Sequence, residues 1–496
     1  MRTVLPTLAA ALLAVGAPAA EPVNLLLVTV DDMNADSVGA FGCRLPGTTP
    51  NIDRLAAGGL RFEMAHVQVG NCMPSRNVMW SGRFPHTNGV EGFYQVPDPG
   101  YPVLVDLARR AGYFTAIRGK VAHSTPFHPY GWDRVLDELP DGQPAHLKEA
   151  RSYGVSTEQG IRAATEAGRP FCLMINISDP HKPFHAQGRQ GQTIPDPHVP
   201  SRIFTPDEVP VPGFLPDDPI VRKELAHYYS SVRRADDCVG RVLAALEASD
   251  QADRTLVLFL SDHGMPLPFA KTQLYHHSTR TPLIIRWPGT VRAGTVDRRH
   301  LISAIDLLPT LLDIMGIEHP AGLQGRSFLP LLRGEARTGW DMVFKEYNEN
   351  SGGRRHPMRA VQTPEFLYLF NPWSNGRRVM ATATTGTPTY RRLKELAGQD
   401  AVIAARLELF DHRVLEEFYC VAEDPDALEN RIADPQHAGD VRRLRRALEA
   451  WMERTNDPLL AVFRQREDAA AREAWMAETQ AESDARRGRT RTGSAR

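Results

Sequence analysis

Two short clusters of aspartate and histidine follow apolar runs and have the composition of a metal site. The run NLLLVTV leads into Asp31 and Asp32, and the run TLVLFL precedes Asp262 and His263. Adjacent aspartates beside a buried strand repel each other and are costly to desolvate without a cation. One Asp-Asp pair could equally close a turn, but a second cluster in the matching place favours a divalent metal. Carboxylate oxygens favour Ca²⁺, with Mg²⁺ as the alternative, although His263 is a softer donor.

Cys72 lies in the run NCMPSR, which continues into the segment NVMWSGRFPHTNG. A small buried thiol packed as a hydrophobe is the simplest explanation of an isolated cysteine. The Cys-x-Pro-Ser-Arg pattern, however, resembles the signature of type I sulfatases, and the segment after it is similar as well. The resemblance implies that a formylglycine-generating enzyme oxidises Cys72 to Cα-formylglycine (3-oxoalanine). A hydrated aldehyde has two hydroxyl groups, so one can attack sulfur and the other can later expel sulfate.

The resemblance to type I sulfatases of the alkaline-phosphatase superfamily covers most of the chain and implies a set of site residues. It implies a set of ligands for a calcium ion, and this ion polarises the sulfate and the formylglycine. These ligands are Asp31, Asp32, Asp262 and His263, together with the modified Cys72. The other catalytic positions that it implies are Arg76, which holds the formylglycine, Lys120 and His123, which flank its diol, and His181 and Lys271, which contact the sulfate and the leaving atom.

Three further residues, Lys182, His277 and Arg359, are predicted to bind substrate. His277 lies near motif residues, although a surface or hydrogen-bonded structural histidine is an equal alternative. Arg359 could form a cationic rim for a sulfated saccharide together with Arg354 and Arg355. A charge cluster of this kind can also be a solvated face.

Within this family the chain is most similar to sulfamidases, the N-sulfoglucosamine sulfohydrolases of heparan breakdown. The similar segments include SDPH, KTQLY and TNDP. Sulfamidases have an Asp-Asn pair where this chain has Asp262 and His263, and an arginine where it has Lys271. Arginine can donate two parallel hydrogen bonds to one anion, whereas lysine acts as a compact point charge. The Asp-His pair and the spacing from Lys120 to His123 instead resemble iduronate 2-sulfatases.

The predicted function is removal of sulfate from a sulfated saccharide, with N-sulfoglucosamine of heparin or heparan sulfate as the expected substrate group. One alternative is an O-sulfatase acting on a glycosaminoglycan, for example on iduronate 2-sulfate, or an arylsulfatase. Another is a phosphoesterase or phosphonate monoester hydrolase, which would use the same cation and nucleophile on phosphorus. A further alternative is a non-catalytic glycan-binding protein that retains an unmodified Cys72.

Composition and the N-terminus limit the partners and the compartment. The formal net charge is −1 and charges of both signs are intermixed, so no global field favours nucleic acid. Residues 1–20 combine one basic residue, an apolar stretch too short to span a bilayer, and a small-residue end. This layout predicts a signal peptide and a periplasmic or secreted protein that is free of the membrane after cleavage. The sequence leaves open the oligomeric state and the pairing of its cysteines, which are Cys43, Cys72, Cys172, Cys238 and Cys420.

Continuous apolar runs predict strands that are buried on both faces, as in a parallel sheet. Helical periodicity between them, including a long helix that begins near Asp218, predicts an α/β fold. Ligands of such folds bind beyond the carboxyl ends of the strands, where the polar clusters fall. The polar segment 182–219 is expected to be a loop over the site. The predicted strands are 24–30, 114–117, 171–177 and 255–260, and one further predicted helix is 103–110.

The family resemblance implies an alkaline-phosphatase-like sandwich, with a large mostly parallel sheet between helices, followed by a smaller domain. The smaller domain is expected to have a short antiparallel sheet, with strands near 342–347, 358–363 and 366–370, and an amphipathic helix over 439–454. The last residues are charged and weakly patterned, which predicts a frayed helix and a flexible basic tail. The predicted organisation is a signal peptide (1–20), a catalytic domain (21–335), a smaller α+β domain (336–460) and a charged, flexible tail (461–496).

Overall fold

The computed structural model describes residues 22–493, and its central feature is an eight-stranded sheet. In chain order the strands are β1 (Asn24–Asp31), β2 (Leu60–Phe62), β3 (Phe114–Arg118), β4 (Arg134–Val135), β5 (Phe171–Pro180), β6 (Thr255–Ser261), β7 (Leu283–Arg286) and β8 (Thr295–Asp297). Across the sheet their order is β4-β3-β5-β1-β6-β7-β2-β8. Only β7 runs antiparallel to its neighbours, so the sheet is mostly parallel, as predicted.

Strand β1 shows why both faces of this sheet are covered. Leu26 and Val28 belong to one apolar core, and Leu25 and Leu27 belong to the other. All four side chains are fully buried. Because successive side chains of a strand point to opposite faces, an uninterrupted apolar run is what a strand between two helical layers requires.

The longest helix begins where the sequence predicts. The Asp218 side chain accepts a hydrogen bond from the amide of Ile220 (2.9 Å), and Pro219 takes the first helical position. Both features suit a helix start, where amide groups lack intrahelical partners. The α-helices are α1 (Pro50–Ala57), α2 (Cys72–Ser81), α3 (Pro85–Asn88), α4 (Leu104–Arg110), α5 (Val121–Ser124), α6 (Ala150–Glu166), α7 (Pro219–Glu247), α8 (His276–Thr279), α9 (Leu307–Met315), α10 (Leu329–Leu332), α11 (Pro388–Ala397), α12 (Ala401–His412), α13 (Ala438–Thr455), α14 (Leu460–Arg464) and α15 (Ala469–Gly493).

The C-terminal part of the chain forms a second, antiparallel sheet. Its strands are β9 (Val343–Glu349), β10 (Arg355–Gln362), β11 (Leu367–Phe370) and β12 (Glu416–Tyr419), in the order β12-β11-β10-β9. The first three strands and helix α13 match the expected elements, whereas the sequence pattern does not indicate α11, α12 or β12. The apolar residues of α12 are spread around the helix and do not form one apolar face, so the helical periodicity of this segment is weak in the sequence. We propose that the boundary between the domains lies near residue 335, between α10 and β9.

The end of the chain forms a helix that is held by the small domain, where the sequence predicts a frayed helix and a flexible tail. Residues 469–493 form α15, in which Met476 is only 3% exposed. The Ser483 hydroxyl donates a hydrogen bond to Glu349 Oε2 (3.0 Å) on β9. The small domain therefore supplies the buried partners that hold this helix. Such distant partners do not show in the composition of the tail itself.

The predicted signal peptide, residues 1–20, lies outside the described residues. Between residues 22 and 493, no helix has the combination of length and apolar character needed to cross a bilayer. All five cysteines lie in this range, and none of them is paired in a disulfide. The segment from residue 182 to the start of α7 contains no helix or strand, in agreement with the predicted loop.

Candidate active site

Four side chains from three parts of the chain converge at the carboxyl edge of the larger sheet. Asp31 ends β1, Asp262 and His263 follow β6, and Cys72 is the first residue of α2. Their potential ligand atoms all lie within 4.8 Å of one another, and all four residues are buried. Because β1 and β6 are adjacent and parallel, their carboxyl ends fall side by side. The structure thus brings together four of the five predicted metal ligands.

The donor atoms of this cluster suit a divalent cation. His263 Nδ1 faces the carbonyl of Gly264 (3.0 Å), so we assign the proton to Nδ1 and the lone pair to Nε2, which is 3.2 Å from Cys72 Sγ. Neither carboxylate oxygen of Asp31 accepts a hydrogen bond of good geometry. Burial, together with the charge of Asp31, raises the pKa of Asp262 well above its ordinary value. Two mutually repelling carboxylates and an oriented imidazole therefore fit a metal ion.

Asp32, the fifth predicted ligand, contacts both a lysine and the cluster. Its carboxylate accepts hydrogen bonds from Lys271 Nζ (2.7 and 2.8 Å), and its Oδ1 is 3.0 Å from His263 Nε2. Burial alone would raise the pKa of Asp32, but Lys271 and His181 lower it below the usual value. The φ of Asp32 is 69°, and its amide donates to Asp262 Oδ1 (3.0 Å). Positive φ at a non-glycine residue is strained, and such residues cluster at active sites.

Cys72 opens helix α2 in surroundings that do not activate a thiol. Burial and the charge of Asp31 raise the pKa of the Cys72 thiol well above its ordinary value. Lys271 Nζ, which would lower that pKa, is 3.8 Å from Sγ. The thiolate is the reactive form of cysteine. An unmodified Cys72 in this environment is therefore a poor nucleophile.

Arg76 lies one turn after Cys72 and is completely buried. Its Nε donates to Asp262 Oδ2 (3.1 Å), and its Nη1 donates to Thr29 Oγ1 and to Asn176 Oδ1 (both 2.6 Å). The guanidinium thus joins α2 to β1, to β5 and to the residue after β6. A planar group with several donors holds its acceptors at fixed angles. This network positions Cys72 relative to the carboxylates.

Lys120 and His123 border the cluster from the end of β3 and from α5. Lys120 has a φ of 51° and forms an ion pair with Asp31. The His123 carbonyl accepts a hydrogen bond from Asn77 Nδ2 of α2 (2.8 Å). Burial and the charge of Lys120 lower the pKa of His123 to about 3. The imidazole is therefore neutral at ordinary pH and only weakly basic unless an anion binds beside it.

His181 follows β5 and is partly open to solvent, with 36% of its side chain exposed. Its Nδ1 donates to the carbonyl of Lys182 (2.6 Å), and its Nε2 lies 4.0 Å from Asp32 Oδ2. Burial lowers the pKa of His181, although Asp32 opposes this shift. A bound anion would raise the pKa again, because a nearby negative charge favours the imidazolium.

Comparison with known proteins assigns this geometry to a family. The protein-family model described as Sulfatase matches residues 23–317, a range that contains every catalytic side chain described above. The chain belongs to the sulfatase family. It is therefore an enzyme of the sulfate-hydrolysing class, and family membership argues against the alternative of a non-catalytic glycan-binding protein.

Individual relatives extend the similarity of this sulfatase beyond its catalytic domain. It is 31% identical over 485 residues to the Homo sapiens protein named N-sulphoglucosamine sulphohydrolase, which covers 91% of this chain and 94% of the relative. A solved structure in complex with its substrate D-glucosamine-2-N,6-O-disulfate has a TM-score of 0.65 at 20% identity, covering 88% of this chain and 99% of that one. The phosphonate monoester hydrolase of Agrobacterium radiobacter has a TM-score of 0.64 at 20% identity, covering 87% and 96%. At these identities the two solved structures show the shared fold alone.

Three residues without a predicted role support the segment that carries His181 in this sulfatase. Asp179 is fully buried and accepts hydrogen bonds from Arg234 Nε and Lys148 Nζ (both 2.6 Å). Lys148 Nζ also donates to the carbonyl of His181 (2.6 Å). Asp179 belongs to the SDPH segment, and the similarity of that segment to sulfamidases is the feature of the sequence that indicates this residue. Its partners lie 55 and 31 residues away along the chain, so sequence spacing does not reveal them.

Two of the predicted substrate-binding residues have different surroundings. Lys182 lines a cleft of about 530 Å³ that Glu224 also borders. Burial lowers the pKa of Lys182 to about 8, although Glu224 opposes this shift. His277 lies between two acids, 3.1 Å from Asp426 and 3.6 Å from Asp36. These contacts favour a structural role for His277. Lys182, in contrast, borders an open cleft next to His181.

Arg359, the third predicted substrate-binding residue, is not on an open cationic rim. It is 1% exposed, and its Nε and Nη2 donate to the two carboxylate oxygens of Asp457 (2.5 and 3.0 Å). Its Nη1 donates to Asn348 Oδ1 (2.9 Å), and Glu346 lies 3.5 Å from its Nη2. The guanidinium is therefore enclosed by protein acceptors. Its position within β10, which is buried along its whole length, is the physical reason.

Proposed function

We propose that this sulfatase removes the N-linked sulfate of glucosamine in heparin or heparan sulfate. The observation that carries the proposal is the similarity to the sulphoglucosamine sulphohydrolase, because it spans both sheets and not only the catalytic residues. The buried cluster around Cys72 supplies a site of suitable chemistry. A protein that binds N-sulfated glucosamine as its substrate shares the fold.

The residues around position 72 suit transfer of a sulfuryl group. A formylglycine at that position, for which Cys72 Sγ stands in the structure, supplies one hydroxyl to attack sulfur and a second that permits sulfate to leave. Lys120 and Lys271 bring positive charge to the sulfate oxygens, where negative charge develops in the transition state. His123, which borders the cluster, is the proposed acceptor of the proton from the second hydroxyl, and the negative charge of a bound sulfate would raise the pKa of its ring for this step.

His181 is the proposed proton donor to the leaving nitrogen. Its Nε2 faces the cluster, and its exposed edge leaves room for a sugar. Nitrogen is a poor leaving group unless it is protonated, so this role matters more for a sulfamate than for an activated ester. Lys182 borders the adjoining cleft and would bind the sugar there.

The proposed metal is calcium, bound by Asp31, Asp32, Asp262, His263 and the modified residue 72. Most of these donors are oxygens, which favour Ca²⁺ or Mg²⁺. When bound, the cation polarises the sulfate. Exhaustive chelation should remove turnover, and calcium should restore it more fully than magnesium. Full activity of the demetallated protein would contradict the metal assignment.

Maturation is the next part of the proposal, and mass spectrometry tests it. We propose that the chain is exported to the periplasm or secreted and that a formylglycine-generating enzyme modifies Cys72. The tryptic peptide from Phe62 to Arg76, taken from protein made in its native host, should be lighter than its sequence by roughly one water, as conversion of a thiol to an aldehyde requires. Active protein that contains only unmodified cysteine would refute the mechanism.

The substrate assignment is tested by sulfate release from defined sugars. N-sulfated glucosamine should react faster than 6-O-sulfated glucosamine or 2-O-sulfated uronic acid, with an aryl sulfate as the reference. His181→Ala should reduce sulfamate turnover far more than aryl sulfate turnover, because a phenolate departs without a proton. Preference for an O-sulfate without N-sulfate turnover would establish the O-sulfatase alternative, which the Asp262 and His263 pair favours. Faster turnover of a matched phosphonate ester would establish the phosphonate hydrolase alternative.

A further inference from the structure

A cleft of about 710 Å³ opens between α15 and the turn that joins β9 to β10. Arg354, Arg355, His356 and Arg378 line it, and Asp484 is the single carboxylate residue among its lining residues. Three guanidinium groups and one carboxylate line the wall, although the whole chain has a formal net charge of −1. Acids behind the wall pair with Arg355 and Arg378, so Arg354 carries the positive charge that is not balanced by an ion pair among the described residues.

Acids that do not line the cleft hold two of these arginines from behind. Arg355 forms ion pairs with Glu91 and with Glu349, the latter at 3.5 Å. Arg378 donates two hydrogen bonds to Glu473 (2.8 and 2.6 Å). A guanidinium has five N–H donors, so a paired arginine keeps others for a ligand while its plane is fixed. The two arginines are therefore oriented before any ligand binds.

The other two basic residues of the wall have unused hydrogen-bonding capacity. Arg354 is exposed and forms no ion pair with any side chain in the described part of the chain. His356 is 5% exposed, lies edge-on to Trp373 (centroids 4.8 Å apart), and has no hydrogen-bond partner for its Nδ1. Burial lowers the pKa of His356 to about 4, so its ring is neutral and adds hydrogen-bonding capacity to the wall without adding charge.

Contacts join the elements around this cleft to the catalytic centre. The carbonyl of Glu349 accepts a hydrogen bond from Asn71 Nδ2 (3.5 Å), in the residue before the modified position. Glu91 lies two residues before Phe93, whose ring contacts that of His123 (centroids 5.5 Å apart). Residues behind the cleft are thus in contact with residues that border the reacting groups.

We propose that this cleft is a second anion-binding site, which holds a sulfated sugar of the oligosaccharide substrate away from the sulfate that is cleaved. The proposal rests on the saccharide function proposed above. Guanidinium groups bind sulfate through paired, charge-assisted hydrogen bonds. A chain that occupies both sites gains affinity from the second contact without any change in the reacting groups. The cleft would thus favour polysulfated chains over single sugars.

Binding is measured first, by calorimetry with a heparin-derived hexasaccharide and protein that carries Cys72→Ala to prevent turnover. Arg354→Glu in this background should weaken binding about 5-fold or more, because it reverses an exposed charge, and the loss should shrink at high salt. Asp484→Asn removes the cleft's own carboxylate and should tighten binding. The matched control is Arg298→Glu, an exposed arginine after β8 that makes the same charge change outside the cleft. Equal affinities for Arg354→Glu and Arg298→Glu would overturn the proposal.

Turnover separates this proposal from the proposed function. With position 72 intact, Arg354→Glu should lower kcat/KM for the hexasaccharide by a similar factor and leave kcat/KM for an aryl sulfate unchanged. An equal loss on both substrates would mean general damage and would contradict a separate binding site. If no sulfated sugar is hydrolysed but hexasaccharide binding still depends on Arg354, the proposed function fails while the anion site stands.

Discussion

Two groups of buried charges in this molecule are built in opposite ways. At the edge of the larger sheet, Asp31 and Asp262 converge with Cys72 and His263, and burial with the charge of Asp31 raises the pKa of Asp262 well above its ordinary value. Near the small sheet, by contrast, Glu346 is enclosed by partners of opposite charge. Burial alone would raise its pKa, but Arg359 and His86 lower it to about 2. The first group keeps two acids side by side even though Lys120 pairs with Asp31 and Arg76 with Asp262, whereas the second places bases between its acids.

The difference separates function from stability. The second group, here called the domain network, consists of His86 and Asp457 together with Glu346, Asn348 and Arg359. Its acids and bases satisfy one another, so nothing external is needed to complete it. The catalytic cluster lacks that completeness and is suited to an external cation and an anionic substrate. Mutations should therefore affect activity in one group and folding in the other.

The largest effect is expected for Cys72→Ala. Removal of an essential nucleophile costs about 10⁵-fold or more in turnover, whereas a small residue at this buried position leaves α2 intact. The measurements are sulfate release from an aryl sulfate and the midpoint of urea unfolding. The matched control is Cys172→Ala, a buried cysteine inside β5, which should retain turnover. Turnover in Cys72→Ala close to that of the wild type would place the nucleophile elsewhere.

Asp31→Asn should lower turnover by about 10³-fold, or about 4 kcal/mol of transition-state stabilisation, because it weakens cation binding. Two effects on stability oppose each other, because the change relieves repulsion between Asp31 and Asp262 but also removes the ion pair of Asp31 with Lys120, so the variant should stay folded. Calorimetric titration with calcium measures cation binding, and far-UV circular dichroism shows whether the variant is folded. Unfolding of the variant would show that Asp31 is structural and would break the contrast between the two groups.

The catalytic cluster was accessible from sequence because its signals are local. Apolar runs end in Asp31 and Asp262, and the fold class alone places such strand ends at one edge of a sheet. The partners of Arg359 and Asp179 are distant in the chain, and no periodicity marks them. For the same reason Arg359 looks, in the sequence, like a member of a surface charge cluster, although it lies in a buried strand. The sequence indicates α15 only as a frayed helix, because Glu349, which holds it, lies 134 residues earlier in the chain.

Arg359→Met tests the domain network and should mainly affect stability. Removal of one partner of a buried ion pair costs about 3–5 kcal/mol, because the remaining acids are left unpaired. Urea unfolding measures the loss, and Arg354→Met is the matched control at an exposed position, where the change should be within about 0.5 kcal/mol. Turnover of an aryl sulfate by the folded Arg359→Met protein should stay close to that of the wild type. A strong loss of turnover without a loss of stability would return Arg359 to the substrate site.

The smallest effect concerns the pH dependence of the domain network. Burial would lower the pKa of His86, but the carboxylate of Glu346, bound at 2.6 Å, raises it above the ordinary value of 6.5. Asp457 acts in the same direction as Glu346, and Arg359 opposes both. Because the folded-state pKa is raised, the stabilisation by the His86 charge is fully present below pH 6.5 and is lost as the pH rises through the higher folded-state value.

His86→Gln should therefore lower the Tm most below pH 6.5, and the difference from the wild type should shrink as the solution becomes alkaline. Thermal unfolding in a series of buffers at constant ionic strength measures this trend. His319→Gln is the control, since its ring is 40% exposed and pairs with Asp313 at the surface. A Tm difference that is constant across the pH range would mean that His86 contributes by packing against Phe84 and Trp451 and not by its charge. The domain network would then depend on Arg359 for its positive charge, which makes the pH series a direct test of how its acids are neutralised.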